Sequence, residues 1–385
     1  MGGRGVISKY SGIETYYEEA GERLAAMGHV VTAYCRTYFT PPVAEHKSIR
    51  VVRLPTIRSK HFETLVHTFL STLHVLTQPC DIVHYHALGP ALFAFIPRLA
   101  GKKTVVTVQG LDWQRKKWGR LASAVLRIGE YAAVGLPTRT MVVSGTLQHY
   151  WDRYRAETLY VPNGGLLRER RPPDRIVHWG LQPQRYILFL GRFSPEKGCH
   201  LLLEAYERLD TDIKLVLAGA SSFCHEYSRE LKTHASERIK ILDWVSGETL
   251  DELLTNAMLF VLPSDLEGLS LALLDAMGAG LCVLASDIPE NCEAVEGAGF
   301  TFRKGDPADL AERLRFLIAN RAVREAAGAE AKRRIRDEYQ WSEIARQVEQ
   351  TYFEMMGWSV AGKSTARKPI AGVGAIGPST VRRAG

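Results

Sequence analysis

Two α/β units, each a parallel sheet covered by helices on both faces, are what this sequence predicts. Three observations lead there. At 385 residues the chain is long for one hydrophobic core. Short apolar runs alternate with helical patterns from end to end, the rhythm of parallel strands joined by crossover helices. No apolar run reaches the roughly 18 residues that span a bilayer, and 46% hydrophobic with 24% charged residues is ordinary globular composition.

The first unit is expected over residues 1–165. Its strands read as 29–35, 49–54, 82–86, 104–109 and 140–143, each a short apolar run bounded by turn or helix signals. Helices are expected at about 13–27, 62–76, 91–100, 118–133 and 145–154. Pro162-Asn163-Gly164-Gly165 through Pro172-Pro173 is rich in Gly, Pro and Arg and reads as the linker, with a hinge at Gly164. The second unit, 166–340, has strands at 186–190, 213–218, 239–242, 258–262 and 282–285. Its helices start near Lys197, Phe223, Gly247, Ser270, Pro307 and Arg321. An amphipathic helix at 341–356 has nothing left to cover in the second sheet and is expected to cross back onto the first unit. From 357 to 385 the composition turns to Gly, Ser, Ala and Arg, a disordered tail.

The net charge of +7 hides a division. Residues 1–175 carry 24 basic and 13 acidic side chains, whereas residues 176–357 carry 20 and 29. A basic first half suits an anionic partner such as a phospholipid surface or a lipid diphosphate, or is a surface imbalance with no function. No aromatic-interleaved basic strand accompanies it, which argues against nucleic acid. The six cysteines form no CxxC pair, and Met1-Gly2-Gly3-Arg4-Gly5 lacks the apolar core of a signal peptide. Both fit reduced thiols in a cytoplasmic protein.

The chemistry concentrates at Pro263-Ser264-Asp265-Leu266-Glu267-Gly268-Leu269-Ser270, a strand end and a small-residue loop, followed by a helix carrying Asp275. Ionised carboxylates only accept hydrogen bonds. Two of them at the carboxyl end of a sheet suit the vicinal hydroxyls of a ribose or hexose, while the free N–H groups around Gly268, Leu269 and Ser270 suit a phosphate. Gly191-Arg192-Phe193-Ser194-Pro195-Glu196-Lys197-Gly198 also follows a strand and opens a helix. Arg192 and Lys197 would give a fixed positive environment to a departing diphosphate; on their own they read equally as solvated surface. Lys9-Tyr10-Ser11-Gly12-Ile13-Glu14 holds a glycine at a helix start, which admits a phosphate or merely makes the turn. His86, Gln109 and Asp112 follow first-half strands and are the polar candidates facing an acceptor. His86 also suits a structural role, and Asp112 a helix cap. Arg115, Lys116 and Lys117 between Trp113 and Trp118 suit a membrane surface or a solvated helix start. Asp210-Thr211-Asp212 mimics a metal-binding DxD, but it precedes a strand at the opposite sheet edge. It reads as a turn, and no metal or cofactor is expected.

Together GRFSPEKG, EGLSLALLDAM and ASDIPE, with RGVISKYSGIET, GHVVTAYCR and QGLDWQRKKW in the first half, resemble the GT-B retaining glycosyltransferases of family 4, in a bacterial polysaccharide, rhamnosyltransferase-like subgroup. The resemblance covers residues 5–356. It implies two doubly wound Rossmann-like domains facing a central cleft, the acceptor on the first and a nucleotide-diphosphate sugar on the second. It implies that Arg192 and Lys197 hold the diphosphate, that Glu267 lies near the donor sugar, and that Asp275 holds ribose. Gly12 and the backbone of Gly268, Leu269 and Ser270 would contact the donor, and Trp244-Val245 would flank the base. Three departures stand out. The family's E-x7-E is E-x7-D here, and Asp is one methylene shorter. Gln109 stands where many relatives have His, and Gln is no general base. Relatives also open on a hydrophobic strand before the first loop, which this chain lacks. The expected activity is transfer of a hexose or deoxyhexose to a glycan or lipid-linked acceptor in envelope or exopolysaccharide synthesis, at the cytoplasmic membrane face. The alternatives are a sugar-nucleotide epimerase and a non-catalytic nucleotide-sugar-binding protein.

Overall fold

The computed structural model describes residues 1–7, 12–59, 62–114, 119–154, 157–221 and 224–358. The expectations placed on Lys9–Ser11, on 115–118 and on 359–385 lie outside the described residues.

The second half is a six-stranded sheet in which every pairing is parallel. The first half comprises, in chain order, α1 (Gly12–Ala26), β1 (Thr32–Arg36), β2 (Glu45–His46), β3 (Ile49–Leu54), α2 (Glu63–Leu76), β4 (Ile82–His86), α3 (Leu88–Ala91), α4 (Phe95–Leu99), β5 (Lys103–Val108), α5 (Arg120–Gly135), β6 (Arg139–Val142), α6 (Gly145–Asp152) and β7 (Thr158–Tyr160). The second comprises β8 (Tyr186–Leu190), α7 (Cys199–Glu207), β9 (Lys214–Ala218), α8 (His225–Thr233), β10 (Ile239–Leu242), α9 (Gly247–Asn256), β11 (Leu259–Leu262), α10 (Leu271–Gly278), β12 (Val283–Ser286), α11 (Pro289–Val295), β13 (Phe300–Phe302), α12 (Pro307–Ala319), α13 (Arg321–Glu338) and α14 (Trp341–Met356).

In the second half the strand order is β10-β9-β8-β11-β12-β13, the 3-2-1-4-5-6 order of a doubly wound sheet. The chain reverses direction across the sheet between β8 and β11, so the loops leaving those two strands open side by side. The apolar runs of β8, β9 and β11 are buried on both faces, as helix-covered parallel strands require.

The first half is less regular. Among the described residues its strands form two sheets, β1-β3-β2 and β4-β5-β6-β7. Between β1 and β4 lie residues 1–4, which bond to both without forming a strand: Arg36 N donates to Arg4 O (2.8 Å), His86 N to Met1 O (2.9 Å), and the Met1 amino group to His84 O (2.6 Å). The expected helix over 91–100 is two short helices, α3 and α4. Pro90 and Pro97 each fall at the third position of their helix, where the missing N–H costs nothing; an unbroken helix through 88–99 would place Pro97 in its interior. Three strands of two or three residues, β2, β7 and β13, and the helix α11 were not expected.

The linker and the final crossing run side by side. Gly165 N donates to Tyr339 O (2.7 Å), and a side chain at Gly164 would strike the Trp341 ring. Beyond that point α14 packs on α1 and on the face of the β4–β7 sheet, burying Trp341, Ile344 and Val348 with Tyr16, Val105 and Met141.

Two histidines of the first half are held in largely dry surroundings, His67 fully buried on α2 and His84 partly buried on β4. His84 Nδ1 meets the Tyr352 hydroxyl (2.7 Å) and its Nε2 the Thr107 hydroxyl (2.7 Å). Burial pushes His84 down to about 3 and His67 down to about 4. A histidine depressed in the folded state takes up its proton more readily when unfolded. Stability is therefore full above pH 6.5 and falls as pH drops toward 4. His67 alone accounts for roughly 3 kcal/mol across that window, at 1.36 kcal/mol per pKa unit. Urea unfolding at pH 7.5, 5.5 and 4.5 should show the decline, and His67→Leu should flatten it; identical slopes for the two proteins would rule this source out.

Candidate functional site

A cleft of about 1070 Å³ lies between the halves, and both contribute walls. Its second-half wall is built at the switch point. The loop leaving β8 supplies Arg192 and, through a single 3-10 turn at Pro195–Lys197, Lys197. The loop leaving β11 supplies Glu267, Gly268, Leu269 and Ser270, and α10 carries Asp275 on its second turn. Val245 and the half-exposed Trp244 follow β10. From the first half come Gly12 at the start of α1, and Gln109 and Asp112 after β5. Of the residues singled out in the sequence, these all line one cleft. His86 does not. It is 3% exposed, stacked on His84 at 4.3 Å and edge-on to Tyr16 and Tyr17. Burial first, then His84, holds it well below the ordinary imidazole range, so His86 is a neutral core residue. Asp212, of the DxD-like turn, is exposed and paired with Arg185 at the amino end of β9, away from the cleft. No group of three or more His, Cys, Asp or Glu among the described residues converges as a metal site.

Three ion pairs occupy the second-half wall. Lys197 Nζ donates to Glu267 Oε1 at 2.5 Å, with the side chains 13% and 8% exposed. The expected cation and the expected acid thus hold one another. Asp275 is also engaged: Arg168 Nη1 donates to its Oδ1 (2.9 Å), while Arg168 Nε donates to Asp251 Oδ1 (2.8 Å). Nothing in the spacing of the sequence pointed to Arg168, which comes from the linker, or to Asp251 on α9. Close behind Glu267, burial together with Glu267 and Glu293 pushes the Glu290 carboxyl above the usual carboxylate range.

The halves touch backbone to backbone across the cleft. A Cβ at Gly268 would lie 1.9 Å from Gln109 O, so only glycine allows this approach. Asn163 Nδ2 donates both to Gln109 Oε1 (3.1 Å) and to Leu269 O (3.0 Å), tying linker, first half and the loop leaving β11 together. With its oxygen so used, Gln109 leaves a buried Nε2 with no hydrogen-bond partner among the described residues. Asn163 was readable only as a turn residue. On the outer side, the Glu293 carboxylate of α11 accepts from Gly145 N (2.7 Å) and Thr146 N (3.1 Å) at the start of α6.

The matches to known proteins divide along the same line. Residues 177–334 match the family described as "Glycosyl transferases group 1", and residues 10–164 match "Glycosyltransferase Family 4". This chain belongs to the GT-B glycosyltransferases of family 4. Among curated relatives it is 31% identical to alpha-maltose-1-phosphate synthase of Mycobacterium tuberculosis over 193 residues, covering 46% of this chain and 50% of that protein. The chain thus spans about half the length of that relative. Two solved structures share its fold. Sucrose-phosphate synthase from Thermosynechococcus elongatus (22% identity, TM-score 0.78) is matched over 91% of this chain and 96% of that one. Anabaena HepE, in complex with UDP and glucose (17% identity, TM-score 0.75), is matched over 90% and 98%.

Glu293 crosses between halves, so its contribution belongs to the closed arrangement. A carboxylate accepting from helix-end N–H groups contributes about 1 kcal/mol, roughly fivefold in the closed population. Glu293→Ala should therefore raise the radius of gyration measured by X-ray scattering and leave the melting point of each half nearly unchanged; an unchanged scattering curve would show that the contact does not hold the halves together.

Proposed function

We propose that this family 4 member transfers a hexose or deoxyhexose from a nucleotide-diphosphate sugar, with retention and without a metal, to a lipid-linked or glycan acceptor in envelope or exopolysaccharide synthesis. The observation that carries the reading is the joint placement of Arg192, Lys197, Glu267 and Asp275 on one wall of one cleft. A diphosphate leaving group develops negative charge, and preorganised cations and helix-start N–H groups stabilise it where it forms. Arg192 and Lys197 stand beside the start of α10, whose first-turn N–H groups are the unfilled donors of any helix start.

The Lys197–Glu267 pair gives the binding step its form. When the diphosphate arrives, Lys197 exchanges a carboxylate partner for a phosphate, and Glu267 is released to accept from donor-sugar hydroxyls. Gln109 Nε2 adds a hydrogen-bond donor from the opposite wall. Gln109 itself is no base, although the carboxylates of Glu14, Glu63 and Asp112 also line the cleft from the first half; in the retaining transfer proposed here the acceptor proton passes to the departing phosphate oxygen. Closure about the paired crossings at Gly165 and Tyr339 excludes water from the activated sugar.

The first-half wall of the cleft carries charged groups, Arg36 and Glu63 among them, and beside them an apolar strip. Leu65 on α2, Pro90 on α3, and Val125 and Leu126 on α5 line it, and it runs out to Phe62 and Leu121, which are 59% and 81% exposed. Ile128 and Tyr131 continue the exposed apolar surface along α5, which also carries Arg120 and Arg127. Apolar lining that opens beside an apolar and cationic helix suits a lipid-linked acceptor presented at an anionic membrane surface, here the cytoplasmic face.

A thermal-shift screen of nucleotide sugars should identify a donor that raises the melting point, since a ligand bound only by the folded state stabilises it. With that donor, Arg192→Ala and Lys197→Ala should each lower turnover by about 10²–10³-fold, as removal of a preorganised charge-stabilising group does. Undiminished turnover and affinity in both variants would defeat the assignment.

A further inference from the structure

Arg168 reaches the cleft from the linker, yet it is fastened to the helix that bears Asp275. Its backbone N donates to Gly278 O (3.1 Å), and Lys332 Nζ donates to its carbonyl (2.8 Å). A Cβ at Gly278 would lie 2.1 Å from Leu166 O, so the linker backbone lies directly against the end of α10. From that anchorage the guanidinium, 7% exposed, reaches two carboxylates on two helices: Asp251 of α9 through Nε and Asp275 of α10 through Nη1. Nη1 also donates to the carbonyls of Leu166 (3.3 Å) and Asp275 (3.4 Å), which fixes the plane of the fork. Asp275 is therefore held through Oδ1, and Oδ2 has no protein donor among the described residues. Arg168, Asp251 and Asp275 all line the cleft, beside Trp244 and Val245.

We propose that Arg168 is a positioning residue for donor selection: it clamps the short Asp275 carboxylate so that Oδ2 faces the ribose hydroxyls, and thereby sets the preference for ribonucleotides. This rests on the donor reading above. Aspartate has one methylene fewer than glutamate, so its carboxylate stays close to the helix and needs an outside group to fix its direction. A planar guanidinium bridging two carboxylates supplies that direction; a lysine ammonium, a single point of charge, does not.

The test compares ribo- and 2′,3′-dideoxy forms of UDP, GDP and ADP by calorimetry. Wild type should bind one ribonucleotide about tenfold more tightly than its dideoxy form, the scale of one hydrogen bond to a charged group. Arg168→Ala and Arg168→Lys should reduce that ratio to about twofold or less, within the error of additive effects, with dideoxynucleotide affinity kept. Arg168→Ala/Asp275→Glu should regain the ratio, because the longer side chain reaches the ribose unaided. Should Arg168→Ala fail to fold, as its melting curve would show, Arg168→Lys decides. A ratio kept in a folded variant overturns the proposal, and so does an equal loss for both nucleotide forms. Wild-type binding without ribose preference overturns it while leaving the donor reading intact. No binding of any nucleotide by wild type removes the donor reading, and this inference falls with it.

Discussion

Burying charge is the constraint around which the cleft is organised. Lys197 with Glu267, and Arg168 with Asp251 and Asp275, sit on one wall with most of their surface withdrawn from water. Desolvating an ion pair costs about what the attraction returns, and apolar residues of the same size often make a protein more stable. These pairs are therefore poor candidates for stability devices. They keep charges in place, neutralised, at a site whose proposed ligand is itself charged. The Lys197–Glu267 pair depends on the strand order of the second sheet, because neighbours at the switch point bring the loops of β8 and β11 within reach of one another.

The same constraint explains the close backbone contacts. A cleft that excludes water must let its two walls meet, and side chains at the meeting points would hold them apart. Gly268 lets the donor loop lie on the Gln109 carbonyl, and Asn163 bridges that contact from the linker. The linker is thus part of the site: Asn163 bonds the loop before α10, and Arg168, five residues on, bonds Asp275 of the helix itself. Glu293 acts at greater distance, holding the start of α6 from across the boundary. Motion about the crossings at Gly165 and Tyr339 would change several of these contacts together.

What the sequence disclosed follows from the range of the interactions. β3, β4, β8 and β10 match the expected bounds because each is an apolar run closed by turn or helix signals. Arg192, Lys197, Glu267 and Asp275 were legible because their strand–loop–helix context is local. The splitting of 91–100 was also written locally, in Pro90 and Pro97, but a ten-residue apolar stretch masked it. Arg168 and Asp251 were not legible, since their roles exist only once the linker lies along α10. His86 failed for the opposite reason. A strand end is where ligands bind, but alternation turns successive side chains to opposite faces, and the face of His86 is covered by Tyr16 and Tyr17 of α1.

Gln109 shows how a departure in sequence acquires meaning from its neighbours. Taken alone it is a lost base. Its amide oxygen, however, accepts from Asn163, so the group left over is the Nε2 donor, buried and without a hydrogen-bond partner among the described residues. An unpaired buried donor costs about 1–3 kcal/mol, and that cost persists until an acceptor arrives. A donor in that place matches a sugar hydroxyl or a phosphate oxygen, both of which accept. On the proposed chemistry it would take no proton and would help fix the sugar against the diphosphate side. Proton transfer then falls to the leaving group, held where Lys197 and Arg192 can carry its charge. On the proposed chemistry, the glutamine and the two cations would belong to one arrangement, in which orientation and electrostatics do what a general base does elsewhere.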